Sequence, residues 1–274
     1  MEYKNGEMDQ LHTKMLELLH EFDRICDKLS IEYIAIGGTL LGAIRHDGFI
    51  PWDDDIDVAL KRNDYEKLLK FAPNELGKNF FLQTIYSDPG TTTQQAKLRL
   101  NNTLFVESYA KKAKMHQGIF LDIFPLDALP DDEKTNTKFC RKCAILEQLF
   151  VAKCTSGTMC PMNSIKNISK KTLRTILHIC LYPVPKKWIF EKLQRSLRTY
   201  DNAGYSRWTQ PGGYGSKVYF DDSEIYPIVR HKFENTTICI PNNSEKFLSR
   251  LFGDFMRLPP EDKRYGHRPY KIQF

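Results

Sequence analysis

The sequence contains no long hydrophobic run, no internal repeat and no low-complexity tract. Its most apolar segment starts at Ile176, is interrupted by His178 and stops at Pro183, far short of the ~20 apolar residues that a membrane-spanning helix needs. The first residues are polar and mixed in charge, without the basic start and apolar run of a signal peptide. These absences predict neither a transmembrane span nor secretion.

The cysteines do not suggest a disulfide framework. There are 7 of them in 274 residues, an odd number, so a complete set of disulfides is not expected and a reducing, cytoplasmic compartment is the better match. Cys140, Cys143, Cys154 and Cys160 could form a zinc site, but their spacing is poor for one. Cys143 lies on an apolar helical stripe, which favours core packing instead.

Strong charge of one sign is also lacking. The net charge is +6, and much of the positive charge falls between Lys134 and Arg198, without an aromatic and basic motif of the kind that reads nucleic acid. Nucleic acid is therefore not an expected partner. The segment from Lys170 to Lys187 has basic ends around an apolar middle, which fits either a helix on the inner membrane surface or a buried helix.

The composition that is present, 41% hydrophobic and 12% aromatic residues, is sufficient for a globular core. Periodicity and breakers predict the order α, β, α, β, α at the start of the chain. The predicted elements are a helix from Met8 to Leu29, a strand from Ile31 to Ile36, a short helix from Thr39 to Arg45, a strand from Ile56 to Leu60 and a helix from Asn63 to Phe71.

Further along, the pattern predicts a hairpin around Asn101 and Asn102, then a strand from Ile119 to Phe124 that Pro125 closes. Helical patterns dominate after Asp131. We therefore predict an α+β fold with a catalytic core over residues 1–130 and a helical and C-terminal acceptor subdomain over residues 131–274.

The most informative stretch is GGTLLGAIRHDGFIPWDDDIDVAL, residues 37–60. Residues two apart on a strand point to the same face, so Asp55 and Asp57 present two carboxylates together. Such oxygens suit Mg²⁺, or Mn²⁺, and Asp122 in IFLDIF is the candidate third acid. A solvated turn is the plain alternative, and a calcium loop is disfavoured because Val58 and Asp64 stand where that motif needs glycine and glutamate.

The glycine pair before the aspartates predicts a phosphate contact. Gly37 and Gly38 let the backbone approach a phosphate closely, and Thr39 opens a helix whose free N–H groups can bind it. Four cationic side chains could add further contacts to a donor phosphate: Arg45, His46, Lys97 and Arg99.

Together with AKLRLNNTLFVES, GIFLDIFPLD and FGDFMRLPPEDKR, this stretch resembles the successive motifs of the LicD family of phosphotransferases, the group that includes the fukutins. The resemblance implies a nucleotidyltransferase-like fold, a mixed sheet flanked by helices. Asp55 and Asp57 match the family's metal-binding pair, Asp122 its third acid, and Lys97 falls in its K-x-R segment.

The same resemblance implies an activity. A phospho-alcohol, with phosphocholine the foremost candidate, would pass from a CDP-activated donor to a sugar hydroxyl of a cell-surface glycan, releasing CMP. The glycan could be teichoic acid, lipopolysaccharide or capsule, free or linked to lipid. A nucleotidyltransferase that moves an NMP group, or a catalytically silent binding module of the same fold, are the alternatives.

Weaker patterns leave further options open. Five aromatic residues could contribute to a cage for a quaternary ammonium group, although packing is the commoner role of such residues: Trp52, Trp188, Trp208, Tyr214 and Tyr219. GGYGS, from Gly212, resembles a flexible turn more than a phosphate loop. The basic tail could hold a phosphate-bearing acceptor or be solvated; its residues are Lys263, Arg264, His267 and Arg268.

Overall fold

The computed structural model describes residues 3–4, 6–155, 165–267 and 269–274. The helices of this part are α1 Glu7–Leu29, α2 Gly37–His46, α3 Arg62–Phe71, α4 Glu133–Cys154, α5 Ile165–Cys180, α6 Lys186–Leu197, α7 Asp222–Ile225 and α8 Ser244–Phe252. Among these helices, none is long and apolar enough to cross a bilayer.

The strands are β1 Ile34–Ala35, β2 Asp57–Lys61, β3 Phe80–Gln83, β4 Ala96–Leu100, β5 Leu104–Val106, β6 Phe120–Ala128, β7 Arg207–Thr209, β8 Phe220–Asp221, β9 Val229–Phe233, β10 Thr236–Ile240 and β11 Lys271–Gln273. The main sheet has the order β1-β2-β6-β4-β3, and β7 and β8 extend it from the end of β6. Strands β2 and β6 run parallel, whereas the other pairs in this sheet are antiparallel. The predicted α+β class is confirmed.

Helix α1 covers the sheet with the apolar stripe that its sequence predicts. Leu11, Leu18 and Phe22 are buried at spacings of seven and four residues, and the helix packs against β4 and β6. Its N-terminal turn carries Glu7 and Asp9, which suit the positive end of the helix dipole. This helix therefore forms one wall of the core that supports the centre of the sheet.

The hydrophobic core does not divide at residue 130. Phe220, Phe233 and Phe247 pack in the same cluster as α1 and the central strands, although they come late in the chain. A second cluster joins α4 and α6 through residues such as Phe150 and Leu193. Residue 130 marks the start of this helical cluster, and the C-terminal segment returns to the first core.

Two local expectations about strands are wrong. Strand β5 does not form a hairpin with β4, because β4 pairs with β3 and β6, while β5 pairs with β11 near the C-terminus. Pro125 does not end its strand either, since β6 continues to Ala128. The backbone N–H of Asp122 points towards β2, so the nitrogen of Pro125, three residues on, faces the other side. On that side, β4 pairs with β6 only as far as Ile123, and β7 pairs with β6 only from Asp127 onward. Pro125 lies between these two pairings, so its missing N–H costs no hydrogen bond of the sheet.

A buried ion pair fastens α3 to the sheet. The Arg62 guanidinium donates from Nε and Nη2 to the two carboxylate oxygens of Asp127 on β6, at 2.7 and 2.8 Å, and both side chains are buried. Nη1 also donates to Gln194 on α6 at 3.1 Å. One arginine thus connects α3, the sheet and the helical cluster.

We predict that Asp127→Asn lowers the free energy of unfolding by about 3 kcal/mol, because it leaves a buried guanidinium without its anion. Urea denaturation measures this change. The control is Glu17→Gln, which removes an exposed partner of Lys14 and should cost less than about 1 kcal/mol. Equal stability of Asp127→Asn and the wild type would contradict this account of the pair.

Candidate active site

Two of the three predicted acids lie side by side on the parallel pair at the centre of the sheet. Asp57 of β2 is in register with Asp122 of β6, and adjacent strands lie about 4.8 Å apart. The neighbours of Asp122 along the strand, Leu121 and Ile123, are fully buried in the core, as the alternation of the sequence predicts. The strand register therefore places these two carboxylates together.

Asp55 and Asp53 extend this carboxylate group along the segment that enters β2. Burial, followed by the charge of Asp122, raises the pKa of Asp57 to about 8. Burial and the charges of Asp57 and Asp53 raise the pKa of Asp55 well above its ordinary value. The pKa of Asp53 rises to about 6, through burial and then the charge of Asp54. These acids repel one another in a site that water solvates poorly.

Lys97 brings a positive charge into this group. It lies opposite Asp122 in the β4–β6 pair, and its Nζ donates to Asp122 Oδ2 at 3.0 Å. The same ammonium group lies 3.4 Å from the centre of the Phe120 ring and 3.7 Å from Glu107 Oε2. Both Lys97 and Asp122 are buried, so this lysine is held in place by its own strand partner.

The N-terminus of α2 lies against the aspartates. A β-carbon on Gly38 would lie 2.5 Å from Asp53 Oδ2, so a side chain there would force Asp53 to move. One on Gly37, whose φ is +55°, would lie 3.3 Å from Asp57 Oδ2 and 3.7 Å from the Tyr214 hydroxyl. Burial, and then the charge of Asp57, raise the pKa of this tyrosine.

Thr39 does not open its helix, although the sequence predicted a helix that starts there. Helix α2 begins two residues earlier, at Gly37, and its N-cap position, Ile36, makes no side-chain cap. Instead, the Thr39 hydroxyl accepts the backbone N–H of Asp57 at 2.8 Å. This bond fixes the start of β2 against the first turn of α2.

Three of the predicted cationic contacts do not reach the carboxylates. Arg45 and His46 end α2, about 12 Å along the helix axis from Gly38, and Arg45 donates to the Phe255 carbonyl at 2.8 Å. Arg99 is buried and donates to Gln83 Oε1 and to the Gly118 carbonyl, both at 2.8 Å. Of the four candidates, only Lys97 contacts a candidate catalytic acid.

Asp54 is fully buried and lies beside Asp55. Its Oδ2 accepts the Tyr3 hydroxyl at 2.6 Å, and its Oδ1 accepts both the backbone N–H and Nδ1–H of His267, at 2.9 and 2.8 Å. The hydrogen bond to Asp54 and the nearby charge of Asp55, 3.4 Å away, raise the pKa of His267 to about 10 despite its burial. Asp54, Asp55 and His267 each place one ligand atom within 4.8 Å of the others, so they are a second group that could hold a metal ion.

The structure adds three residues that were not among the predicted site residues. Glu107 contacts Lys97, Gln95 Nε2 donates to Asp122 Oδ1 at 3.3 Å, and Tyr214 adjoins Gly37. Glu107 lies within the quoted LFVES segment, and Tyr214 within the GGYGS turn, so both were near a signal. Only the folded chain brings them to the acids.

The remaining weak patterns receive structural roles. Cys140 and Cys143 are buried in the second hydrophobic cluster, and Cys160 and Arg268 lie outside the described residues. Of the aromatics proposed for the cage, the Trp208 ring packs under Lys61, and the Tyr219 ring lies beneath Arg207 and Arg250. In the basic tail, Arg264 lies over the Trp52 ring.

The donor set fits a hard divalent cation. Asp55, Asp57 and Asp122 supply carboxylate oxygens, and burial together with the charges of neighbouring acids raises the pKa values of the first two. Asp57 lies on β2, Asp122 on β6 and Asp55 on the loop that enters β2. The free N–H groups at the start of α2, which can donate hydrogen bonds to a phosphate, lie beside them.

The mixed sheet, the flanking helices and the carboxylates beside a glycine-started helix are those of a nucleotidyltransferase-like fold. Residues 30–144 match the family model described as LicD/FKTN/FKRP, nucleotidyltransferase domain. The resemblance seen in the sequence motifs is therefore confirmed over this part of the chain, together with the expectation of a phosphotransferase enzyme.

Similarity to individual proteins extends beyond this domain. The chain is 27% identical to the lipopolysaccharide cholinephosphotransferase LicD of Haemophilus influenzae over 264 residues. This alignment covers 94% of this chain and 93% of that protein. An uncharacterized protein of Rickettsia prowazekii is 33% identical over 27% of this chain and 28% of its own length. Another, from Rickettsia typhi, is 40% identical over 26% of this chain and 24% of its own.

We predict that Asp57→Asn unfolds at the same temperature as the wild type or higher in EDTA at neutral pH, because it removes a buried, repelled carboxyl group. With millimolar Mn²⁺ the wild type should gain thermal stability, since only the folded state binds the ion, and the variant should gain much less. Thermal denaturation measures both. The exposed Asp131→Asn serves as control, and an equal Mn²⁺ response in all three proteins would refute the carboxylate site.

Proposed function

We propose that the chain transfers a phospho-alcohol from a CDP-activated donor to a sugar hydroxyl, with Mg²⁺ or Mn²⁺ held by Asp55, Asp57 and Asp122. The observation that carries this proposal is the crowding of these acids beside the N-terminus of α2, with Lys97 as their adjacent cation. A bound divalent ion would neutralise negative charge on the donor's diphosphate.

The residues around the acids have separable tasks in this proposal. The backbone N–H groups at Gly37 and Gly38 donate hydrogen bonds to a phosphate of the CDP-activated substrate, since neither position carries a side chain that would block its approach. Lys97 supplies positive charge where the leaving CMP develops negative charge. Most of the rate enhancement in such a transfer comes from positioning and electrostatics.

Asp122 is placed for a second task. Its Oδ2 accepts from Lys97 and its Oδ1 from Gln95, so two side chains fix the carboxylate plane. In that orientation it can share the cation or accept the proton of the acceptor hydroxyl. We keep both roles for Asp122, because either one requires a carboxylate at this point of β6.

The donor and acceptor follow from the similarity to the Haemophilus influenzae protein, whose name gives choline phosphate and lipopolysaccharide. We propose phosphocholine as the transferred group and a lipopolysaccharide or a related surface glycan, such as teichoic acid or capsule, as the acceptor. An NMP-transferring enzyme remains the alternative that the reaction products distinguish, since it would release diphosphate in place of CMP.

Peripheral contact with the membrane is supported by the exposed face of α5. Leu173, Ile176 and Ile179 recur every third residue and are 59%, 51% and 66% exposed. Tyr182, just after α5, and Trp188, on α6, are exposed as well. We propose that this face of α5 lies on the cytoplasmic surface of the membrane, where lipid-linked acceptors occur; the free cysteines of the described chain suit that reducing side.

We predict that the protein with Mg²⁺ slowly releases CMP from CDP-choline by hydrolysis, with water in place of the acceptor hydroxyl and phosphocholine as the other product, and that EDTA abolishes this release. Asp122→Asn should lower kcat by about 100-fold or more, because it removes an oriented charge at the reacting centre. Liquid chromatography of CMP measures both effects over a panel that also contains CDP-glycerol and CDP-ribitol. Full activity of Asp122→Asn, or release of CMP in EDTA, would contradict the proposed function.

We predict that the protein sediments with vesicles that contain phosphatidylglycerol, and that a double Ile176→Glu, Ile179→Glu variant binds them about tenfold more weakly, since it loses apolar contact and adds repulsion. Co-sedimentation at several lipid concentrations measures the partition. CMP release in solution should be unchanged in this variant. Wild-type partition retained by the variant would exclude this face as the contact.

A further inference from the structure

A cavity of about 830 Å³ adjoins the candidate active site on the side of the helical cluster. It lies between α4, α5 and the last half of β6, and the segments 92–95 and 210–213 close it. Its wall includes Gln95, which bonds Asp122, and Gly213, which precedes the Tyr214 of the acid group. The cavity therefore shares its wall with residues that contact the site of the proposed transfer.

One wall of the cavity carries a carboxylate that has no cation. Glu147 of α4 accepts a hydrogen bond from the Gln94 amide, and its other oxygen packs so closely on Gly212 that a β-carbon there would collide with it. Among the described residues, no lysine, arginine or histidine forms an ion pair with Glu147. Burial raises the pKa of this group to about 7.

The other charged groups in the wall already have partners. Asp127 is bound by both edges of the Arg62 guanidinium, and Arg174 donates to Gln148 at 3.1 Å. Asp127, the second carboxylate of the same wall, is paired with an arginine, whereas Glu147 is not. The carboxylate of Glu147 can therefore pair with a group that enters the cavity. A cation is the group that this environment favours, because it would balance the carboxylate without further desolvation.

The remaining wall is apolar and partly aromatic. Tyr109 and Phe124 both line the cavity and are only partly buried by the protein, so their rings contribute surface to it. Aromatic faces attract organic cations, and the attraction is largest for a cation that has little hydration to lose, such as a quaternary ammonium group. A small alkylammonium group would meet both kinds of contact here.

The same two segments contact both the cavity and the acids. Gln94 donates a hydrogen bond to Glu147, and the next residue, Gln95, donates one to Asp122. On the other side, Gly212 contacts Glu147, and Tyr214, two residues later, adjoins Gly37 next to Asp57. Each segment therefore links the carboxylate of Glu147 to the acid group.

We propose that this cavity is the subsite for the alkylammonium group of the donor's alcohol, with Glu147 as the residue that selects a cationic alcohol over a neutral one. The inference rests on the proposed function for the identity of the donor. On this proposal, a residue of α4, which lies outside the nucleotidyltransferase strands, selects the group that is transferred.

The test compares phosphocholine with 3,3-dimethylbutyl phosphate, which replaces the nitrogen by carbon and so has the same shape without the positive charge. Titration calorimetry measures both ligands on the wild type, on Glu147→Gln and on Glu191→Gln, a control that removes an exposed carboxylate from α6. Glutamine keeps the size of Glu147 and its hydrogen bond to Gln94. Thermal denaturation confirms that each variant is folded.

We expect the wild type and Glu191→Gln to bind phosphocholine about tenfold or more tightly than the neutral analogue, and Glu147→Gln to bind the two within about threefold of each other. Equal affinities in the wild type, or a preference that survives Glu147→Gln, would overturn the subsite. CMP release by the wild type is scored separately, so loss of the proposed function and loss of the subsite give different results.

Discussion

The repulsion between carboxylates on neighbouring parallel strands is the constraint on which the rest of the site depends. The register of β2 and β6 sets Asp57 beside Asp122, and the loop before β2 adds Asp55 and Asp53. Burial and mutual repulsion raise the pKa of three of these acids. Such an arrangement opposes folding unless a cation is bound, which is why we interpret it as functional.

Distant parts of the chain hold this arrangement in place. Thr39 ties α2 to the first residue of β2, and the fully buried Asp54 is clamped by Tyr3 from one end of the chain and His267 from the other. Lys97 enters from the antiparallel neighbour of β6. These bonds hold the carboxylate group in place, and Lys97 and His267 offset part of its negative charge.

The sequence was sufficient for features that depend on local period. Asp57 and Asp122 lie on strands that the sequence predicted approximately, and the helical stripe of α1 was correct, while the roles of Asp55, Asp57 and Asp122 stay predictions. It was insufficient where partners are distant: His267 is 213 residues from Asp54. The turn at Asn101 and Asn102 suggested a hairpin, but a turn does not determine which strand is paired. Arg45 lies in the last turn of α2, away from Gly38, and its contact with a donor phosphate stays a prediction.

The most direct test of this account is anomalous diffraction from crystals grown with Mn²⁺ and CMP, with data collected at the manganese absorption edge. We predict a peak within coordination distance, about 2.2 Å, of carboxylate oxygens of Asp57 and Asp122, with Asp55 beside it. A peak at Asp54 and His267 instead, or none at either place in crystals that contain bound CMP, would contradict the assignment of the metal to the parallel strands.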